Sequence, residues 1–442
     1  MMMWVVVVGL AMGLALLGHT SFWVGLVNRM HGLAWPEGVL RGLTLACALL
    51  WAILGGSLLW EVALSSQANE PKTWTGWCSQ LAWPWQGYLV CCWLIAGRNL
   101  WAWLWGYLLH RPPHVLLSQQ VESILLPMPA QKHPEHHPLV WLPQNEILRV
   151  ELTRREIRLP LLPPQLDGLT LLHLSDLHFT GRVAQEWFRQ TIEFCAQLQA
   201  DLVTLTGDFL DSLDCLDWIP KVLAPLRGRW GVYFILGNHD WRLDWRRIRE
   251  EITQLGFVWL GGRWTLLSGV RGVSEDRSTR VASNPPLLVG LSIPPNFDSL
   301  PAGQVGGEKN REFQLLLAGN ELPWIGPPPD LRHAPPPAGE GGPVRILLAH
   351  SPDQLRWARQ HQFDLMLAGH THGGQVRIPL VGPILTPSRT GVRYSGGVFY
   401  RPPTVLHVSR GISAEWPVRW NCPPEVVLVV LRSPSGAVPN SP

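Results

Sequence analysis

The stretch LAGHTHGGQ, residues 367–375, sets two histidines one residue apart, between a hydrophobic run and a pair of glycines. In an extended segment side chains at i and i+2 point to the same side, which predicts His370 and His372 on one face. Two imidazoles beside a Gly-Gly that admits close backbone approach suit metal coordination. Four further clusters carry the same residue types: Asp176 and His178 in SDLH, Asp208 in GDFLD, Asn238 in GNHD and His350 in HSPD. The candidate ligands are then two aspartates, one asparagine and four histidines, with no cysteine. Such a set argues against a thiolate zinc site and for Mn²⁺, Fe or Zn²⁺. Seven ligands are too many for one ion with an open position, but suit two ions sharing a bridging carboxylate. Two such ions clamp a phosphoryl group and activate water near neutral pH.

The elements that must position these residues are legible from hydrophobic pattern. LTLLHL (169–174) runs into SDLH, DLVTLT (201–206) into GDFLD, and WGVYFIL (230–236) into GNHD. Later, VRILLA runs into HSPD and FDLMLA into GHTHGG. Between them, residues 184–199 place Ala184, Trp187, Phe188, Ile192, Cys195 and Leu198 at helical spacing, and a shorter helix is expected around 215–226. Strands alternating with helices build a largely parallel sheet, with ligands beyond the carboxyl ends of the strands. The five polar strand tips are therefore expected to meet. Other polar residues receive plainer readings: His173 is structural, His361 lies at the surface, and Arg242 and Arg377 suit an anionic substrate or a surface acid equally.

The series DLH, GDFLD, GNHD, HSPD and GHTHGG resembles the calcineurin-like metallophosphoesterase superfamily over about residues 168–432. GHTHGGQ and the ending HVSRGI…P.R…PPE are similar to its bacterial membrane-associated branch. The resemblance implies an α/β (α+β) four-layer αββα sandwich, two β-sheets face to face with helices outside. It implies Asp176, His178 and His372 on one metal ion, Asn238, His350 and His370 on a second, and Asp208 bridging. Two divalent ions are expected, with Mn²⁺ favoured over Fe or Zn²⁺. His239 would sit over the phosphate, stabilising charge or protonating the leaving oxygen, with Asp240 orienting its imidazole. Asp211 would support a ligand rather than bind an ion. One region departs from the family. Where many members have a compact Gly-Val-Asp turn, this chain reads LLVGLSIPPNFDS, with Pro/Gly-rich insertions at 274–286 and 323–343 expected as flexible loops.

The front of the chain differs in kind. Of 25 tryptophans, 13 fall before residue 120, and the first aspartate is Asp167. Residues 4–27 and 42–60 contain no acidic or basic side chain other than His19, and a third apolar run, about 81–109, is interrupted by Arg98. At about 1.5 Å per residue each can span the roughly 30 Å hydrocarbon core. Trp60, Trp83, Trp105 and Tyr107 near the ends suit interfacial anchoring. A cleaved signal peptide is the competing reading for the first run, which lacks a basic start and a small-x-small cleavage site.

The expected order is a transmembrane helical region of about three spans (1–110), a linker with leading strands (111–165), the metallophosphoesterase domain (166–434) and a disordered tail (435–442). His133, His136 and His137 fall in the linker and read as solvated. With three spans, Arg29 and Arg41 in the first loop place the catalytic domain in the cytoplasm of a multi-pass bacterial inner-membrane protein; with two, the domain falls on the other side. The cysteines form no disulfide framework. A net charge of +3 with 16% charged residues gives no nucleic-acid footprint, so nucleic acid is not an expected partner.

The expected function is a membrane-anchored dinuclear phosphoesterase acting on a phosphodiester, phosphomonoester or pyrophosphate. Its partners would be the lipid bilayer and a phosphorylated, lipid-linked substrate such as UDP-2,3-diacylglucosamine. The rival is a non-catalytic membrane scaffold or sensor that binds phosphorylated ligands. A metal transporter is excluded by placement, because the ligands lie outside the spans.

Overall fold

The computed structural model describes residues 2–33, 35–67, 81–109, 113–126, 132–270, 288–289, 312–322 and 325–434. The chain divides into two compact units, Met1–Arg111 with Ile384–Val392, and Pro112–Pro383 with Arg393–Pro442. The insertion at 274–286, most of LLVGLSIPPNFDS and the tail at 435–442 lie outside the described residues.

The described residues of the first unit contain three long helices: α1 (Met2–His31), α2 (Glu37–Gln67) and α3 (Trp83–Leu109). A helix satisfies its own backbone groups, as lipid requires. Val6–His31 and Gly38–Glu61 are long and apolar enough to cross a membrane; α3, the expected third span, falls outside that measure, with Arg98 and Asn99 in its middle. Small residues let α1 and α3 approach closely: a Cβ on Gly18 would lie 1.8 Å from the Cys92 carbonyl oxygen. Buried His19 donates from Nε2 to the Trp51 carbonyl (2.9 Å) and accepts at Nδ1 from the Tyr88 hydroxyl (2.5 Å). The segment Ile384–Val392 belongs here because Asn28 donates to the Ile384 carbonyl (2.9 Å) and accepts from the Thr386 amide (3.0 Å).

The second unit is built on two seven-stranded sheets. The first contains β1 (Leu116–Ser123), β2 (Glu151–Arg158), β3 (Thr170–Leu174), β4 (Leu202–Thr206), β5 (Val232–Ile235), β6 (Val258–Trp259) and β16 (Glu425–Arg432), in the order β1-β2-β16-β3-β4-β5-β6. The second contains β7 (Arg263–Val270), β8 (Leu288–Val289), β9 (Glu312–Asn320), β10 (Val344–Ala349), β11 (Leu365–Ala368), β14 (Gly397–Arg401) and β15 (Thr404–Val408), in the order β14-β15-β11-β10-β9-β7-β8. A small hairpin pairs β12 (Arg377–Ile378) with β13 (Gly382–Pro383). The expectation of a largely parallel sheet holds for β3 to β6 and for β9, β10, β11 and β15. It fails at the flanks, where β16 runs antiparallel to β3 and β7 antiparallel to β9.

Period-two alternation creates the layers. Leu172, Val203 and Phe234 face one core, packed under the helices α4 (Gln185–Gln197), α5 (Trp218–Leu223) and α7 (Trp245–Gln254) through Phe188, Ile219 and Ile248. Their neighbours Leu171, Leu202 and Ile235 face a second core, shared with Leu317, Leu348 and Leu367 of the other sheet. Leu316, Leu347 and Met366 face a third, closed by Leu355 and Ala358 of α8 (Leu355–Gln360). Helix, sheet, sheet, helix is the four-layer sandwich.

Two sequence readings need correction. Residues 111–165 contain the strands β1 and β2, which join the first sheet, but His136 between them is not solvated: it is buried and accepts from the Ala184 amide at 3.0 Å. The described part of the 323–343 insertion is coil with one 3-10 turn (Ala338–Glu340), tied to the domain at several points. The Asp330 carbonyl accepts from the Trp264 indole (2.9 Å), the Pro335 carbonyl accepts from Arg345 (2.6 Å), and Leu331 joins the third core.

Between the sheets lies a buried ion pair, Arg155 of β2 with Glu425 of β16, at 2.9 Å. Burial would raise the Glu425 pKa, but Arg155 and Arg410 outweigh it and hold it below its ordinary 4.5. A depressed carboxylate contributes stability above its unfolded pKa and loses it as pH falls. Glu425→Gln leaves Arg155 buried without its partner and is expected to lower stability by about 3 kcal/mol at neutral pH. Thermal unfolding reads this, and the deficit against wild type should narrow below about pH 4.5. An unchanged Tm at neutral pH contradicts the expectation.

Candidate metal centre

All seven candidate ligands follow the carboxyl ends of strands: Asp176 and His178 after β3, Asp208 after β4, Asn238 after β5, His350 after β10, and His370 and His372 after β11. The tips of β3 and β4 stay coupled beyond the strands, since Asp176 and His178 donate backbone N–H groups to the carbonyls of Gly207 and Asp208, each at 3.0 Å. Five of the seven adopt left-handed backbone: Asp176 (φ 55°), His178 (46°), Asp208 (58°), His370 (69°) and His372 (50°). That region is uncommon for residues other than glycine, and each instance costs about 1–3 kcal/mol. The turns aim side chains back across the strand ends.

The chain gathers these residues into three overlapping groups, Asp176/His178/His372, His178/Asp208/His239 and Asp208/His350/His370. Within each group the ligand atoms lie within 4.8 Å of one another. Asn238 Oδ1 lies 3.0 Å from His350 Nε2. His370 and His372 therefore do not share a face. The segment between them is not extended: Thr371 is right-handed helical (φ −85°, ψ −12°) and the flanking histidines left-handed, so the two rings join different groups.

The donor set fits metal ions. Three imidazoles have Nδ1 occupied: His178 by Asp211 Oδ2 (2.8 Å), His350 by the Thr206 carbonyl (2.7 Å) and His372 by the Ser413 carbonyl (3.1 Å). This leaves Nε2 of each for coordination. Among the described residues, buried His178 Nε2 and Asp208 Oδ2 have no hydrogen-bond partner, and a buried polar atom without one is destabilising unless something else meets it. Burial would raise the Asp208 pKa, but His350, His239 and His178 hold it well below the carboxylate range. Burial would lower the pKa values of His350 and His178; carboxylates, Asp208 foremost for the first and Asp211 for the second, push them up to about 9 and about 10. A cation that binds here would displace those extra protons and take the neutral imidazoles as ligands.

Asp240 does not orient His239. At the third position of α6 (Asn238–Arg242) it turns back to accept backbone N–H groups from Gly237 (2.8 Å), Asp208 (2.9 Å), Phe209 (2.8 Å) and Leu210 (3.1 Å). It thus pins the β4 and β5 tips together. The partner of His239 Nδ1 is Asp211 Oδ1, so one carboxylate holds both His178 and His239. Sequence reasoning also passed over Arg419, wholly buried, which donates to the carbonyls of His372 (2.9 Å) and Arg410 (2.7 Å). Its signal was the P.R of the C-terminal pattern.

Gly237 is required by close approach: a Cβ there would lie 2.1 Å from Asp208 Oδ1 and 2.5 Å from the Asp208 amide nitrogen. Gly237→Ala must displace Asp208 and is expected to weaken Mn²⁺ binding about tenfold. Calorimetric titration checks this; wild-type affinity would mean the two tips hold slack.

The calcineurin-like phosphoesterase family model matches residues 169–374. Phosphodiesterase YaeI of Escherichia coli is 30% identical over 263 residues, 59% of this chain and 81% of that protein. The metallophosphoesterase YkuE of Bacillus subtilis is 27% identical over 290 residues, 64% and 86% of the two chains. UDP-2,3-diacylglucosamine pyrophosphatase LpxG of Chlamydia muridarum is 23% identical over 315 residues, 66% and 92%.

Proposed function

We infer function from one premise: the chain belongs to the calcineurin-like phosphoesterase family and is a metal-dependent phosphoric ester hydrolase. We propose that it uses two divalent ions, one held by Asp176, His178 and His372, the other by Asn238, His350 and His370, with Asp208 shared. The observation that carries this reading is that Asp208 lies in a cluster with His178 and in another with His350 and His370. When bound, the ions supply Lewis acidity toward the phosphoryl oxygens and a water nucleophile. His239, steadied at Nδ1 by Asp211, turns its other nitrogen to the phosphate and gives the leaving oxygen its proton. Asp240 keeps the strand tips in register.

The substrate class we propose is a lipid-linked phosphodiester or pyrophosphate. Two helices apolar enough to span a membrane support it, as does similarity to a UDP-2,3-diacylglucosamine pyrophosphatase. The full chain in detergent with Mn²⁺ should hydrolyse both bis(4-nitrophenyl) phosphate and UDP-2,3-diacylglucosamine. Chelation should stop both reactions and added Mn²⁺ restore them. Hydrolysis of the aryl reporter alone would remove the lipid-linked assignment, and turnover of neither after full loading would remove the enzyme.

We further propose three spans with the catalytic domain in the cytoplasm, from the placement of Arg29 and Arg41 between the first two. A reporter fused after Val115 should fluoresce as a green fluorescent protein and be inactive as an alkaline phosphatase. The opposite pattern reverses the orientation.

A further inference from the structure

We propose that Arg155, His407, His173, Thr206 and Ser175 form a one-way hydrogen-bond relay through the inter-sheet core that positions the Asp176 carboxylate for its ion. The proposal rests on the reading of Asp176 as a metal ligand.

The direction of every link follows from the first. Arginine has donors only, so its contact through Nη1 with His407 Nε2 makes that nitrogen an acceptor. The His407 proton must then sit on Nδ1, 3.2 Å from His173 Nδ1, which accepts it. His173 in turn carries its proton on Nε2 and donates to Thr206 Oγ1 at 2.9 Å. The Thr206 hydroxyl donates to Ser175 Oγ at 2.8 Å. The Ser175 hydroxyl is left to donate toward Asp176: the two side chains crowd one point beside Gly369, where a Cβ would lie 1.8 Å from Ser175 Oγ and 2.4 Å from Asp176 Oδ2. No link can reverse, because Arg155 cannot accept.

The surroundings support a functional rather than an incidental chain. All six residues are at most 4% exposed, so water neither completes nor breaks it. Burial lowers the pKa of His173 to about 3 and that of His407 well below its ordinary value, keeping both imidazoles neutral. Neutral hydrogen bonds in series polarise one another toward the carboxylate. The cationic end is anchored by Glu425 at 2.9 Å, and the anionic end also accepts the His370 amide at 3.0 and 3.1 Å. The relay draws on β2 and β15 from opposite sheets, so it ties the packing of the two sheets to one ligand. An aliphatic core would fill this space without burying five polar groups.

Thr206 offers a clean test, because its side chain can lose the hydroxyl or the methyl separately while its carbonyl still orients His350. The full chain in detergent is titrated with Mn²⁺, with the unbound ion read by electron paramagnetic resonance. Thr206→Val, which keeps the shape, should weaken binding about tenfold, whereas Thr206→Ser should stay within about twofold of wild type. Ser175→Ala should match Thr206→Val, and the double variant should be no weaker than either, because both cut the same chain. Wild-type affinity in Thr206→Val, or a loss in Thr206→Ser alone, overturns the relay and leaves a packing role. Failure of wild type itself to bind Mn²⁺ would instead sink the metal reading. Nitrogen NMR of histidine-labelled wild type needs no variant: it should show neutral His407 protonated on Nδ1 and neutral His173 on Nε2. Reversed tautomers or an imidazolium at either position would falsify the relay.

Discussion

Asp208→Asn is expected to lower turnover on the order of 10⁴-fold and to reduce bound Mn²⁺ from two ions per chain to one or none. Asp208 is buried, its Oδ2 lies 3.2 Å from His350 Nε2 and 3.6 Å from His178 Nε2, and its Oδ1 accepts the His239 amide at 2.9 Å. Substitution removes the one negative charge that both groups share and puts an amide into a pocket lined by nitrogen. Charge stabilisation of several kcal/mol, at about 1.36 kcal/mol per tenfold in rate, sets the size of the loss. Fold should survive, because Asp240 braces this loop through the backbone amides of Asp208, Phe209 and Leu210, which the substitution retains. Metal analysis and initial rates on bis(4-nitrophenyl) phosphate decide it. Two retained ions with turnover within about tenfold of wild type would remove Asp208 from the bridging position.

His239→Ala is expected to lower turnover roughly a thousandfold while both ions stay bound, the range that a positioned proton donor supplies. The distinction from Asp208 is geometric. His239 is partly exposed and held by Asp211, whereas His178 and His350 are wholly buried. Because the imidazole donates to the leaving oxygen, the loss should be larger for an alkyl phosphodiester than for 4-nitrophenolate, which departs without a proton. An equal loss for both leaving groups would transfer the role to charge stabilisation. Loss of an ion in the variant would make His239 a ligand, and no turnover in either protein would favour the scaffold reading.

Much of this site is legible before folding is considered. Each candidate ligand sits where an apolar run of strand length gives way to polar residues, and a parallel strand has one end at which ligands collect. What could not be read is how neighbours divide among partners. His370 and His372 look equivalent at i and i+2, but left-handed turns at both send them to different groups. Asp240 looks like the natural companion of His239, adjacent in the chain, yet the first turn of α6 directs it to backbone amides and brings Asp211 to the imidazole instead. His136 looked solvated among prolines but is buried, accepting the Ala184 amide just before α4.

By itself the sequence determined the composition of the centre, the elements that carry it, the apolar character of the first two helices and the family. These are local properties, written in hydrophobic periodicity and in short strings of residues. Tertiary structure alone decided that Asp211 serves two histidines, that Arg419 holds the His372 loop, and that His173 leads from Arg155 to Asp176. Those assignments depend on contacts between residues up to 252 positions apart, such as Arg155 and His407. A buried polar atom must find a partner wherever the packing of two sheets brings one, and no local pattern encodes which it will be.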